Sequence, residues 1–143
     1  MVDLIEKNEV VQFKDGNFVL DVNVSSNGET VWLNQKQIAS LFGIDRTVVG
    51  RHIRNIFKND ELDEKSMCAN FATTFSHGSV KGKTQIHDVT YYNLDVIISV
   101  GYRVKSKEGI IFRKWANSIL KEYLLKGYAV NDRHFQDIDY VTT

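Results

Sequence analysis

The sequence contains no proline, which excludes a proline-rich linker between separately folding parts. It also lacks internal repeats and low-complexity runs, so nothing marks a clean domain boundary. Cysteine is confined to Cys68, ruling out an intramolecular disulfide framework and the thiolate pair of a structural zinc. Cys68 reads instead as a small core residue on a strand. No apolar run approaches the roughly 18 residues that span a bilayer, and the opening MVDLIEKNEVV has no basic start ahead of an apolar block. The expected location is cytoplasmic, without membrane association.

Catalytic signatures are missing too. There is no phosphate loop, dinucleotide fingerprint or nucleophile elbow. His77, His87, Asp88 and Cys68 match no metal-ligand spacing. Asp88 and Asp95 make no nuclease signature, and Asp95 better suits the start of a helix. The expectation is a protein that is not an enzyme and holds no metal or cofactor.

Net charge is +0, yet the charges are segregated along the chain. Residues 1–30 carry six acids against two lysines, and NDELDE adds four acids. From Arg46 to Lys58 there are four Lys/Arg and no acid; from Arg103 to Lys126 there are seven against Glu108 and Glu122. Binding responds to the local field and not the sum, so either basic block can serve an anionic partner. A solvated surface yields the same pattern.

With 143 residues, of which 43% are hydrophobic, the chain can bury one core. VVQFKDGNFVLDVNV places Asp15-Gly16 between two β-rich runs, a hairpin signal in which both turn residues tolerate positive φ. Phe18, Leu20, Val22 and Val24 form one apolar face. SSNGE turns the chain into TVWLN, a short third strand. Asn34 with Gln37 three residues on is a capping box that starts a short helix, QKQIASLF. Gly43 ends it, with Ile44 packing back under the turn. Asp45 then caps a second helix from Arg46 to Lys58.

At about 100° per residue, Val49, Ile53, Ile56 and Phe57 share one arc of this helix, while Thr47, Gly50, Arg51, Arg54 and Lys58 share another. The spacing Ala39, Leu41 or Phe42, Gly43, Ile44, Val49, Ile53 resembles the helix-turn-helix of phage repressors. That resemblance implies a second helix lying in a major groove, with Arg46, Thr47, Gly50 and Arg51 toward the bases and Arg54 and Lys58 toward phosphates. Arg46 or Arg51 would pair bidentately with guanine, and Val48 would meet a thymine methyl. A glycine at position 50 costs about 1 kcal/mol inside a helix. Close approach to DNA would offset it, and so would tight packing against another element.

MCANFATTF and TQIHDVTYY read as two strands around the basic loop SHGSVKGK, a hairpin directly after the second helix. This is the order of a winged helix-turn-helix, with Lys81 and Lys83 at the wing tip reaching phosphate or the minor groove. An ordinary exposed hairpin fits the tip equally well. Asn93 then caps LDVIISVGYRV, a largely buried helix, and Ser106 caps a longer one that ends at Gly127. Ile111, Phe112, Trp115, Ile119, Tyr123 and Leu124 line one side of it as core or dimer surface. Arg113, Lys114 and Lys121 reach solvent.

The block YYNLDVIISVGYRVKSKEGIIFRKWANSILKEYLLKGYAVN, joined to TVWLNQKQIASLFGIDRTVVGRHIRNIFKNDELDEKSMCANFATT, resembles the RhuM-type virulence protein family of bacterial pathogenicity islands and mobile elements. The likeness runs from about Val10 to Asn131. It implies a longer protein with a coiled C-terminal extension, related modules of which are fused to Fic or death-on-curing domains. The Fic histidine and its Gly- and Asn-containing anion loop are not in this chain.

The expected fold is α+β: a β-hairpin lead-in, a winged helix-turn-helix and a C-terminal helical pair. Residues 1–33 are strands packed on the core and 34–92 the winged helix-turn-helix. Residues 93–130 are helices of the same domain or a dimerisation element, and 131–143 a tail that begins an extension. The expected work is sequence-specific binding of double-stranded DNA by a homodimer, regulating transcription from a mobile element or pathogenicity island. The competing class is a protein interaction module or toxin/antitoxin component that reads no DNA.

Overall fold

The computed structural model describes residues 8–59, 62–76 and 84–139, and for 8, 66, 70–76, 84–88 and 127–139 the backbone path alone. Five strands form one antiparallel sheet: β1 (Asn8–Asp15), β2 (Phe18–Ser25), β3 (Val31–Asn34), β4 (Cys68–Ser76) and β5 (Thr84–Asn93), in spatial order β1-β2-β3-β5-β4. Between β3 and β4 come helices α1 (Gln35–Phe42), α2 (Arg46–Lys58) and the short α3 (Glu64–Met67). After β5 follow α4 (Leu94–Arg103) and α5 (Glu108–Asp139). The fold is α+β, as the alternation of strand and helix patterns implies.

The first hairpin turns one residue later than the sequence suggests. Asp15 pairs with Phe18, so the turn residues are Gly16 and Asn17. Gly16 takes φ +60, whereas Asn17 stays at negative φ. One glycine in first place suffices for the twist that joins two antiparallel strands, and Asp15 remains in the ladder.

One sheet face carries Phe13, Leu20, Val22, Val24, Val31 and Leu33 into a core shared with the helices. The expected face of β2 is present: Leu20, Val22 and Val24 are buried and Phe18 half-buried, while Val19 and Asp21 are exposed. The other face is not simply wet. Trp32, Ala69 and Tyr91 form a second buried cluster there, with the Trp32 indole N–H donating to Ser25 Oγ at 3.0 Å. Cys68 and Ala69 are consequently both buried, so the start of β4 departs from the half-buried alternation expected of it. Burial, with a smaller push from Glu64, raises the Cys68 thiol to about 12, which leaves it protonated and unreactive at neutral pH.

α4 and α5 close the core. Asn93 caps α4 by accepting the Val96 N–H, and Ser106 Oγ accepts the Glu108 N–H at the start of α5. α4 buries Val96, Ile97, Val100 and Gly101, but its last turn exposes Tyr102. On α5 the buried stripe is Phe112 and Ala116, flanked by half-buried Trp115, Ile119, Leu120 and Tyr123. Ile111 and Leu124, expected on that stripe, are exposed instead. Phe13, Phe112 and Trp115 meet edge to face or tilted at centroid distances of 5.2–5.6 Å, which fixes the rotation of the helix. Nor does α5 stop at Gly127; it continues to Asp139. An interior glycine costs about 1 kcal/mol, too little to end a helix whose following residues remain helical. Gly28, at φ +76, lets the β2–β3 turn lie against the α5 backbone, since an added Cβ would stand 2.9 Å from the Leu124 nitrogen. Among the described residues no helix is long and apolar enough to cross a membrane.

Candidate nucleic-acid interface

Local chemistry sets α1 and α2. The Asn34 side chain accepts the Gln37 N–H and the Gln37 side-chain Oε1 accepts the Asn34 N–H, both at 2.8 Å. The Gln37 amide also donates to the Asp21 carbonyl of β2, which ties the start of α1 to the sheet. At the other end Gly43 is left-handed. Its N–H reaches the Ser40 carbonyl and the Ile44 N–H the Ala39 carbonyl, the paired bonds of a glycine C-cap. Asp45 follows at once as the N-cap of α2. Its carboxylate accepts the Thr47 hydroxyl at 2.6 Å and the Thr47 N–H at 2.8 Å. These bonds, the hydroxyl first, hold the Asp45 carboxyl below its ordinary range, so the cap is charged at neutral pH. They also commit the Thr47 proton, so toward a ligand Thr47 offers lone pairs and a methyl group.

α2 is buried along Val49, Ile53 and Ile56, with Phe57 half-buried over Tyr92. Arg46, Thr47, Arg51, Arg54 and Lys58 are exposed, and Val48 is half-buried. Among the described residues no hydrogen bond or ion pair occupies the cationic groups of Arg46, Arg51, Arg54 or Lys58. Arg54 and Lys58 line a polar hollow of about 380 Å³ together with Gln35, Tyr92 and Glu64. Glu64 is the acid among the residues that line this hollow. Lys81 and Lys83 lie outside the described residues, as does His77; the side chains of His87 and Asp88 lie outside them as well.

Gly50 is a correction. It falls on the angular arc of the arginines but is buried, covered by the Gln35 side chain, which donates to the Arg46 carbonyl at 2.8 Å. A Cβ at position 50 would stand 2.6 Å from Gln35 Nε2. The glycine is thus matched by tight packing within the protein, one of the two explanations its cost allows. The sequence carried no local sign of this, because Gln35 comes from the preceding helix. Gly50→Ala should leave stability within about 0.5 kcal/mol of the parent, because a gain of about 1 kcal/mol in helix propensity is offset by one lost hydrogen bond. Chemical denaturation tests the balance. A loss above about 2 kcal/mol would mean that the Gln35 amide has nowhere to swing.

Arg103 comes near α2 from a distant part of the chain. It ends α4, and α4 packs on α2. His52 is held below its ordinary pKa by burial and then by Arg103 and Arg51, so it is neutral at pH 7. Arg103, the first cation of the second basic block, thus acts on the same histidine as Arg51 of α2.

These parts define a class: an α+β domain in which two capped helices joined by a three-residue turn, residues 43–45, hold a basic face outward. The chain belongs to the Virulence protein RhuM family, whose profile matches residues 66–143. The matched part takes in β4, β5, α4 and α5 and begins after α2. No curated protein and no solved structure matches the chain.

Proposed function

We propose that this protein is a sequence-specific DNA-binding module of winged helix-turn-helix type, acting as a transcriptional regulator of a mobile element or pathogenicity island. The observation that carries this reading is the outward face of α2. Arg51 and Arg54 are exposed on a helix that is capped at Asp45 and buried on its opposite side, and no acid interrupts it. The turn of residues 43–45 and the strand order β3-β5-β4, with the β4–β5 hairpin following α2, support it. Arg46, Thr47 and Arg51 lie toward the N-terminal half of α2, the end that meets base edges in such docking. Arg54 and Lys58 would serve phosphate, and Lys81 and Lys83, which fall between β4 and β5 in the sequence, would serve as the wing. Its work is binding and not catalysis, in the cytoplasm, as a homodimer reading two half-sites. Leu124 and Leu125, 60% and 59% exposed on α5, suit such pairing.

A gel shift with duplexes from the gene's own upstream region, at two salt concentrations, tests this reading. With about five phosphates engaged, affinity falls with salt at a log-log slope of about −4 to −5. Absence of binding at low salt would instead favour a protein interaction module.

A further inference from the structure

Away from α2, the end of α4 and the start of α5 approach closely through two glycines: a Cβ added to Gly109 would stand 3.7 Å from Gly101 Cα. Beside this crossing lies an open groove of about 420 Å³, within the range of about 300–1,000 Å³ typical of ligand pockets. Ile98 and the two glycines line it together with Tyr102 and Ile110, which are 79% and 53% exposed. Lys105, Lys107 and Arg113 also line it, and no Asp or Glu does.

Lys105 supplies a second observation. Its φ is +54, the only positive value at a non-glycine among the described residues. It occupies the left-handed position that ends α4, its N–H bonded to the Tyr102 carbonyl and the Ser106 N–H to the Gly101 carbonyl. Glycine fills this position at lower energy, because any Cβ there crowds the backbone. The lysine at this place costs backbone energy that glycine would not, and its side chain borders the groove.

We propose that this groove docks an acidic peptide segment of a partner protein, which inserts one large apolar side chain between Tyr102 and Ile110 and sets its carboxylates against Lys105, Lys107 and Arg113. A DNA backbone would use the cations but not the exposed tyrosine and isoleucine. The exposed α5 surface of a second copy is a poor occupant, since Leu124 and Leu125 sit among Lys121 and Lys126 with Glu122 as the neighbouring acid.

The test is a nitrogen-15 NMR titration of the full chain with a short synthetic peptide in which Asp and Glu flank one tryptophan and one leucine, and with a control carrying Asn and Gln instead. The expected result is shifts at Tyr102, Lys105, Lys107 and Ile110 that vanish with the control. Ile110→Ser should weaken binding roughly tenfold. Lys105→Gly should raise the melting temperature while weakening binding about three- to fivefold. That opposition separates a ligand contact from a structural role. The proposal is overturned by equal shifts with the amide control, by shifts centred on α2, or by none at all. It is also overturned if the groove signals move with protein concentration alone, or respond to a DNA duplex in place of the peptide.

Discussion

Removing both guanidinium groups in an Arg51→Ala, Arg54→Ala variant is expected to lower affinity for a cognate duplex about a hundredfold while leaving the melting temperature nearly unchanged. One bidentate base contact is worth about 1–3 kcal/mol, a phosphate contact about 1 kcal/mol at moderate salt, and about 2.8 kcal/mol is a factor of one hundred. Both side chains are exposed, and the buried side of α2 is built from other residues, so stability should move by no more than about 0.5 kcal/mol. Arg51→Ala alone should flatten the differences between duplex sequences, whereas Lys83→Ala should weaken all duplexes alike. The checks are titration of the double variant against cognate and scrambled duplexes and its salt slope, which should be shallower by about one to two. Unchanged affinity with both arginines gone would remove α2 from the interface.

Phe112→Ala carries the largest expected cost in stability, about 3–5 kcal/mol. Phe112 is fully buried between Phe13 of β1 and Trp115 of its own helix. Alanine cannot refill that volume, and the edge-to-face contact with Phe13 goes with it. Against a typical total of about 5–15 kcal/mol, this is a large share of the fold's margin. In urea the midpoint should drop by roughly 2 M, with α5 losing its hold on the sheet. A drop smaller than about 0.5 M would show that α5 is held by its other contacts, such as the Tyr123 hydroxyl donating to the Glu9 carboxylate.

Much of the architecture was legible because the signals are local. Asn34, Asp45, Asn93 and Ser106 each cap a helix through a bond to a residue two or three positions on, so the side chain and its target travel together in the sequence. The two arcs of α2 follow from helical geometry, and the arginine side is open as that geometry implies. What was not legible has a different cause. Gly50 needed knowledge of Gln35, and the reach of the basic field needed Arg103 beside His52. The stripe on α5 is turned toward Ala116 and Leu120 because Phe13, from the first strand, decides which side of the helix is covered. Gly127 looked like a stop because glycine caps helices, but a cap requires a left-handed backbone that α5 does not adopt there.

From the order of residues alone came the helix starts, the α+β class, the likeness to the RhuM family and the basic character of α2. Each depends on spacing within a few residues or on the kind of side chain present. Which cations share one field, which glycine is covered and which apolar side chains stay in solvent were decided only when distant segments packed. Those outcomes depend on distances between elements, and the chain sets these through the summed burial of its core and not through any short stretch.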